Sequence, residues 1–227
     1  MILLAIETSG KVASVALATK SKIIAEYTIR NDLTHSETLM PMVEQMLATS
    51  GVDKREIGML ACSNGPGSFT GLRIGAATAK GLAMGLNFKI VPVSSLVALA
   101  YNAYGQNALI APIMDARRNE VYTALYSFVG EDLKCYIQPK ICPFDDMLNS
   151  AADISESIVF LGDATSLHAE KILSEGFEIA PPHKLLQSAA SVAMTAFKHL
   201  DKAVDVNDFK LDYIRLSQAE RIMLGYE

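Results

Sequence analysis

Apolar residues in the first part of the chain fall into short runs typical of strands, and the longer segments between them have helical spacing. Three strands come first, and strands and helices alternate afterwards. The predicted strands are 2–6, 13–18, 23–29, 57–62 and 89–93. The predicted helices are 36–49, 73–86 and 95–104.

The pattern restarts near residue 108 with a second set of three strands. The predicted strands are 108–114, 120–127, 133–137 and 157–161, and the predicted helices are 144–151, 167–174 and 189–199. Three meandering strands followed by strand–helix units predict mixed sheets flanked by helices. This is the layout of the ribonuclease-H-like fold, and two copies give the actin-like ATPase (ASKHA) architecture. In that fold a nucleotide lies between the halves, but fold alone establishes no activity.

The predicted class is therefore α/β with two ribonuclease-H-like subdomains. The first covers residues 1–104 and carries candidate interaction helices. The second covers 105–207, and the segment 208–227 is expected to pack back on the first.

Composition excludes several classes of protein. Half of the 227 residues are apolar, and the N-terminal apolar run lacks a basic leader, so it predicts a first strand, not a signal peptide. No membrane span is predicted. The net charge of −5 argues against a protein that binds nucleic acid alone. Three cysteines without metal spacing fit a reducing compartment, and the expected location is the cytoplasm. Cys62, in an apolar strand, is predicted to be a small buried hydrophobe.

A glycine-rich run at 64–75 links a predicted strand to a predicted helix. A helix N-terminus can hold a phosphate, and Arg73 would add charge, but the run lacks the Lys-Ser/Thr of a P-loop. In the alternative interpretation, the glycines only turn the chain and pack the helix closely on the sheet. The candidate nucleotide-proximal residues are Gly65, Gly67, Ser68, Thr70, Gly71 and Arg73.

Two helices have the composition of an interaction surface. The helix after the glycine-rich run is unusually rich in small residues, and the helix at 36–49 has a methionine-containing apolar stripe. Pro41 should kink the latter or mark a later start, and Thr34 with Glu37 resembles a capping box. A plain intramolecular core is the alternative. The candidate interface residues are Leu39, Met42, Val43, Met46, Ala76, Ala79, Lys80 and Ala83.

Two carboxylates follow predicted strands. Glu7 could be a surviving catalytic acid, but we favour a carboxylate bonded to turn N–H groups or paired with a cation. Asp115 precedes Arg117 and Arg118, which predicts a structural ion-pair network.

Several motifs, in order from residue 1 to beyond 215, resemble the TsaB (YeaZ) family. The most specific is the run 65–73, Gly-Pro-Gly-Ser-Phe-Thr-Gly-Leu-Arg. The run 115–122, Asp-Ala-Arg-Arg-Asn-Glu-Val-Tyr, and the late Tyr213-Ile214-Arg215 support it.

The resemblance implies a non-catalytic paralogue of TsaD, the ligase that transfers threonylcarbamoyl to adenosine in tRNA. TsaD-type proteins carry a His-x-x-x-His metal pair, and this chain has Ser95 and Leu99 at the corresponding positions. No metal or cofactor of its own is implied, and any ATP or ADP would lie at a partner interface. The implied partners are TsaD directly, TsaE through the complex, tRNA only indirectly, and a second copy in a homodimer. The two candidate helices would form these contacts.

Two other classes stay open on the sequence. A glycoprotease-type metallopeptidase is disfavoured by the absent histidine pair. An actin-like-fold ATPase or kinase is disfavoured because residues 108–227 contain no second glycine-rich phosphate loop.

Overall fold

The computed structural model describes residues 1–31 and 33–214. The strands are β1 (Ile2–Glu7), β2 (Ala13–Thr19), β3 (Lys22–Ile29), β4 (Ile57–Gly65), β5 (Ile90–Ser94), β6 (Leu109–Asp115), β7 (Glu120–Val129), β8 (Asp132–Pro143), β9 (Ile158–Leu161) and β10 (Glu178–Ile179). The helices are α1 (His35–Ser50), α2 (Phe69–Leu86), α3 (Ser95–Tyr101), α4 (Phe144–Ala152), α5 (Thr165–Ser174), α6 (Pro182–Leu185) and α7 (Ala189–Phe197). Short 3-10 turns lie at Lys54–Glu56 and Leu200–Lys202.

The two halves have the same sheet topology. The first sheet has the order β3-β2-β1-β4-β5, and the second has the order β10-β9-β6-β7-β8. In each, three antiparallel strands are followed by two that pair in parallel. The predicted duplication and the predicted mixed sheets are confirmed.

Helices cover both faces of the first sheet because side chains alternate along its strands. Leu4 and Ile6 of β1 face a core that includes residues of α1 and α2. Leu3 and Ala5, one position away, face a separate core formed with α7.

The second sheet is covered in the same way. Ala111 and Ile113 of β6 pack with α4 and α5, whereas Ile110 and Met114 pack with α3. Ala98 of α3 also reaches the core between the first sheet and α7, so α3 joins the two halves.

The last helix departs from the expected boundary. Val192 and Ala196 of α7 lie in the core of the first sheet, so the assignment of all of 105–207 to the second subdomain is corrected. The apolar face of α7 covers the side of the first sheet that α1 and α2 leave open. Phe209, further on, is buried in the core with α1 and α2. Residues 215–227, part of the predicted returning segment, lie outside the described residues.

Several elements differ in extent from the predicted ones. Helix α2 begins at Phe69, where Ser68 caps it by accepting the Gly71 N–H at 3.2 Å. Strand β8 is longer than predicted and contains Pro139, which an edge strand tolerates. Pro41 lies inside a continuous α1, so the later start is wrong. The Glu37 carboxylate accepts the Thr34 N–H at 2.9 Å, as the predicted cap requires.

Candidate functional site

Most of the candidate interface residues lie inside the protein. Seven of the eight are buried, and they join the core between the first sheet and α1 and α2. Their assignment to a partner contact is therefore corrected, because an apolar stripe at i, i+3, i+4 and i+7 is also what a helix buries on its own sheet. Lys80 alone is partly exposed. The buried seven are Leu39, Met42, Val43, Met46, Ala76, Ala79 and Ala83.

A different face of α2 is open to solvent. Ala77, Gly81 and Gly85 recur every four residues and are exposed, so they share one side of the helix. Met84 beside them is 73% exposed, and Met40 of α1 is 38% exposed. We call Ala77, Gly81, Met84 and Gly85 the small-residue face.

The glycines of α2 differ in what surrounds them. A Cβ on Gly71 would lie 2.1 Å from the Thr8 carbonyl oxygen, and one on Gly75 would lie 2.2 Å from the Thr8 hydroxyl. A Cβ on Gly81 or Gly85 would meet no atom within 4 Å among residues 1–31 and 33–214. Packing against Thr8 therefore requires glycine at positions 71 and 75. No contact with a described residue requires glycine at positions 81 and 85.

The glycine-rich loop is held against other backbone segments. Gly65 and Gly67 have positive φ angles of 128° and 154°. A Cβ on Gly65 would lie 2.2 Å from the Asp212 carbonyl oxygen, and one on Gly67 would lie 2.3 Å from that of Ser9. The Ser68 N–H donates to the Ser9 carbonyl at 2.7 Å. These contacts support the interpretation that the glycines turn the chain and allow close packing.

A cleft of about 740 Å³ lies between the two halves. Its first wall contains Ser9–Lys11, the loop 66–70 and Arg73. The second wall contains residues 114–118, Tyr122 and Asp163, and residues 212–214 close one side. Four of the six candidate nucleotide-proximal residues therefore line the cleft. They are Gly67, Ser68, Thr70 and Arg73.

Arg73 is held by aromatic neighbours. Its guanidinium lies 3.7 Å from the Phe69 ring centroid, and its Nε donates to the Tyr213 hydroxyl at 3.3 Å. The Phe69 and Tyr213 rings are 4.9 Å apart at their centroids. The nearby Asp212 N–H donates to the Asn64 carbonyl at 2.7 Å, which fastens this segment to the loop.

The β6–β7 turn forms part of the second wall. Arg117, Arg118 and Asn119 are consecutive residues with left-handed φ angles of 64°, 56° and 61°. Asp115 accepts the backbone N–H of Arg117 at 2.7 Å, and neither arginine forms an ion pair with a described carboxylate. The predicted ion-pair network is wrong. The left-handed turn places the Arg117 backbone N–H against the Asp115 carboxylate, so the carboxylate accepts this N–H and does not pair with an arginine side chain.

Asp163 is a cleft residue that the sequence did not single out. It is buried, and its carboxylate accepts the Asp115 N–H at 3.2 Å. Burial raises the pKa of the Asp163 carboxyl group and is the largest of the effects on it. The available signal was its position just after β9, since the carboxyl ends of parallel strands meet at one edge of a sheet.

Glu7 is fully buried at the end of β1. Its Oε1 accepts the Ser9 N–H at 2.5 Å, so the favoured interpretation of a carboxylate bonded to a turn amide is confirmed. Burial raises its pKa to about 7, and the hydrogen bond from Ser9 only partly opposes this shift. Cys62 is also buried, as predicted, and burial raises the pKa of its thiol.

The histidine-pair positions hold no metal ligands. Ser95 and Leu99 are both buried in α3. His168 stacks on Phe144 with centroids 3.9 Å apart, and His35 contacts the Gly10 carbonyl at 3.1 Å. Residues 1–31 and 33–214 contain no cluster of three His, Cys, Asp or Glu suited to a metal. Among the described helices, none combines the length and apolar character needed to cross a membrane.

Two equivalent α/β halves around a cleft define a protein of the actin-like class. The family model for TsaD, tRNA N6-adenosine threonylcarbamoyltransferase, matches residues 22–221. The tRNA threonylcarbamoyladenosine biosynthesis protein TsaB of Bacillus subtilis is 36% identical over 226 residues, which cover 97% of this chain and 96% of that protein. The protein of the same name from Haemophilus influenzae is 33% identical, with 93% of each chain covered. The chain therefore belongs to the TsaD family and, within it, to the TsaB (YeaZ) proteins.

Solved structures agree with this placement. YeaZ from Pseudomonas aeruginosa superposes with a TM-score of 0.76 at 25% identity, covering 93% of this chain and 99% of that one. A Pseudomonas aeruginosa protein described as similar to peptidase YEAZ gives a TM-score of 0.80 at 26% identity, covering 94% and 99%. Component A of (R)-2-hydroxyglutaryl-CoA dehydratase from Acidaminococcus fermentans shares the fold alone, with a TM-score of 0.54 at 11% identity, covering 89% and 100%.

Proposed function

We propose that this chain is a non-catalytic subunit in the formation of threonylcarbamoyladenosine in tRNA, where it docks on a TsaD-type ligase and activates it. The full-length similarity to proteins named for this biosynthesis supports the pathway. The family model describes the transferase itself, which supports this chain as a paralogue of TsaD and TsaD as its partner.

One observation carries the non-catalytic role. The resemblance aligns the histidine pair of TsaD-type proteins with Ser95 and Leu99, and the structure buries both in α3, with Leu99 in the core of the second sheet. A buried leucine offers no donor atom to a metal, and a lone serine hydroxyl is a poor substitute for imidazole. The same positions disfavour a metallopeptidase.

The small-residue face supports docking by close helix contact. A glycine in a helix interior costs about 1 kcal/mol relative to alanine. Gly81 and Gly85 carry this cost although no described residue comes within 4 Å of where their Cβ atoms would be. A second helix packed against this face would use the space, and the exposed Met84 would supply adaptable apolar contact.

The docking face has two consequences for assembly. A second copy of this chain would use the same face, so the homodimer and the complex with TsaD compete. TsaE would then join through the TsaD complex, and a nucleotide held at that interface would lie beside the N-terminal end of α2. Docking would activate TsaD by ordering its active site, without contributing a catalytic group.

Reconstitution tests the proposal. Purified TsaD, TsaE and the adenylate synthase, supplied with threonine, bicarbonate, ATP and tRNA, should give modified tRNA in the presence of this chain and little in its absence. Modification at the same rate without the chain would refute the activating role.

A further inference from the structure

The last described residues run from the core of the first half to the core of the second. Phe209 is buried with residues of α1 and α2. Ile214, five residues further on, packs against the core that α3 forms with the second sheet. Asp212 and Tyr213, between them, line the cleft. The segment 209–214 therefore crosses from one half to the other along one side of the cleft, and we call it the strap.

The strap is bound to the glycine-rich loop through backbone atoms. The Asp212 N–H donates to the Asn64 carbonyl at 2.7 Å. A Cβ on Gly65 would lie 2.2 Å from the Asp212 carbonyl oxygen, so a side chain at position 65 would displace the strap. Glycine is thus needed there for the approach of the strap as well as for the φ angle of 128°.

Side chains join the strap to the first turn of α2. The Tyr213 ring lies on the Phe69 ring with centroids 4.9 Å apart, and the Tyr213 hydroxyl accepts the Arg73 Nε–H at 3.3 Å. The Arg73 guanidinium also lies 3.7 Å from the Phe69 ring centroid. The three side chains contact one another, so Tyr213 holds α2 through both its ring and its hydroxyl group.

The halves have a separate attachment at α3 and α7. Ala98 of α3 reaches the core between the first sheet and α7, and the Asn102 side-chain oxygen accepts the Ser191 hydroxyl of α7 at 2.6 Å. No described residue of α3 or α7 lines the cleft. Two packed units joined at one place can rotate about that place as a hinge. A second attachment at another place removes this freedom, and the strap supplies one.

We propose that the strap holds the two halves at a fixed relative angle across the cleft, and keeps the glycine-rich loop and the first turn of α2 in place. Phe209 anchors one end in the first half and Ile214 anchors the other in the second. Tyr213 fastens the segment between them to α2. This inference concerns the chain alone and does not rest on the proposed docking to TsaD.

Distances between the halves test the strap directly. Spin labels are attached through Glu44→Cys and Ser174→Cys, at exposed positions of α1 in the first half and α5 in the second. Cys135→Ser and Cys142→Ser remove the partly exposed native thiols, whereas the buried Cys62 is kept. Dipolar electron spin resonance on the full chain then gives the distribution of distances between the two labels.

The strap variant is Tyr213→Ala with Ile214→Ala, which removes the contacts with α2 and with the second core. The control is Tyr104→Ala with Ile154→Ala. Tyr104 is a half-exposed tyrosine that also packs on an aromatic ring, and neither control residue lines the cleft.

The native strap and the control should give one narrow distribution of distances. The strap variant should broaden it about twofold or more, because only the attachment at α3 and α7 is left. An equally narrow distribution in the strap variant, or an equal broadening in the control, would overturn the proposal.

Hydrogen exchange on single variants gives a second test that does not need the double substitution. Tyr213→Ala should speed exchange of the Ser68 and Gly71 amides about tenfold or more, while interior amides of β1 and β6 keep their native rates. Tyr213→Phe keeps the ring on Phe69 and loses only the hydroxyl, so its effect should be smaller. Native rates at Ser68 and Gly71 in Tyr213→Ala, or an equal rise throughout β1 and β6, would overturn the local role of the strap.

Discussion

The carbonyl oxygen of Thr8 lies 2.1 Å from where a Cβ atom on Gly71 would be, and the Thr8 hydroxyl donates to the Gly71 carbonyl at 2.9 Å. The end of β1 thus packs directly against the first turn of α2. Gly75, one turn further on, is approached by the same threonine. This contact sets the position of α2 and hence of the small-residue face on its other side.

The first prediction compares two glycines of α2. Gly71→Ala should lower the free energy of unfolding by about 1–3 kcal/mol, because the added methyl group overlaps the Thr8 backbone. Gly81→Ala should raise it by about 1 kcal/mol, because the methyl group enters open space in a helix. Urea unfolding of both variants measures the difference, and equal effects would contradict the packing described for α2.

The second prediction separates the buried and exposed methionines of α1. Met46 has no exposed surface, so Met46→Ala should lower the free energy of unfolding by about 2–5 kcal/mol. Met40→Ala, in the same helix, should change it by no more than about 0.5 kcal/mol. Thermal or urea unfolding of the two variants measures both changes. A native-like stability for Met46→Ala would return that residue to the list of interface candidates.

The third prediction concerns Glu7 and pH. Its pKa is raised from 4.5 to about 7 in the folded protein, so the carboxyl group is more easily protonated when folded than when unfolded. Its contribution to stability is therefore full below about pH 4.5 and is lost as pH rises through about 7. Between those limits the free energy of unfolding of the wild type should fall by on the order of 3 kcal/mol because of Glu7. A protein with a neutral side chain at this position should not show that fall.

The variant Glu7→Gln isolates this effect. Its stability relative to wild type should increase as pH rises from about 4.5 to about 8, since glutamine does not ionise. Other carboxylates cancel in the comparison between the two proteins. Glu44→Gln, at an exposed position of α1, is the matched control for exchanging a glutamate for a glutamine in this part of the chain. A flat difference for Glu7→Gln would refute the raised pKa of the buried Glu7 carboxyl group.

Much of the fold could be predicted because the period of the hydrophobic pattern changes clearly between strands and helices. The short apolar run at 2–6 predicted the first strand, and the restart near residue 108 predicted the second set of strands. The two-residue strand β10 and the short helix α6 were missed because segments of that length carry no measurable periodicity.

The site was harder to predict, for physical reasons. An amphipathic stripe shows that a helix buries one face, but not whether the cover is its own sheet or another chain. Met42 and Val43 therefore looked like interface residues and are core residues. Asp115 and Arg117 looked like an ion pair, but the left-handed turn brings the amide to the carboxylate. Such local backbone geometry is not encoded in spacing.

The affinity between this chain and TsaD shows whether the small-residue face is the docking surface. Met84→Glu places a charge on the small-residue face, and Leu173→Glu places one at a 58% exposed leucine of α5 as the matched control. We predict that Met84→Glu weakens the complex by about 2 kcal/mol or more, about thirtyfold in Kd by calorimetry, while both variants keep native unfolding curves. Unchanged affinity for Met84→Glu, or an equal loss for Leu173→Glu, would contradict docking through this face.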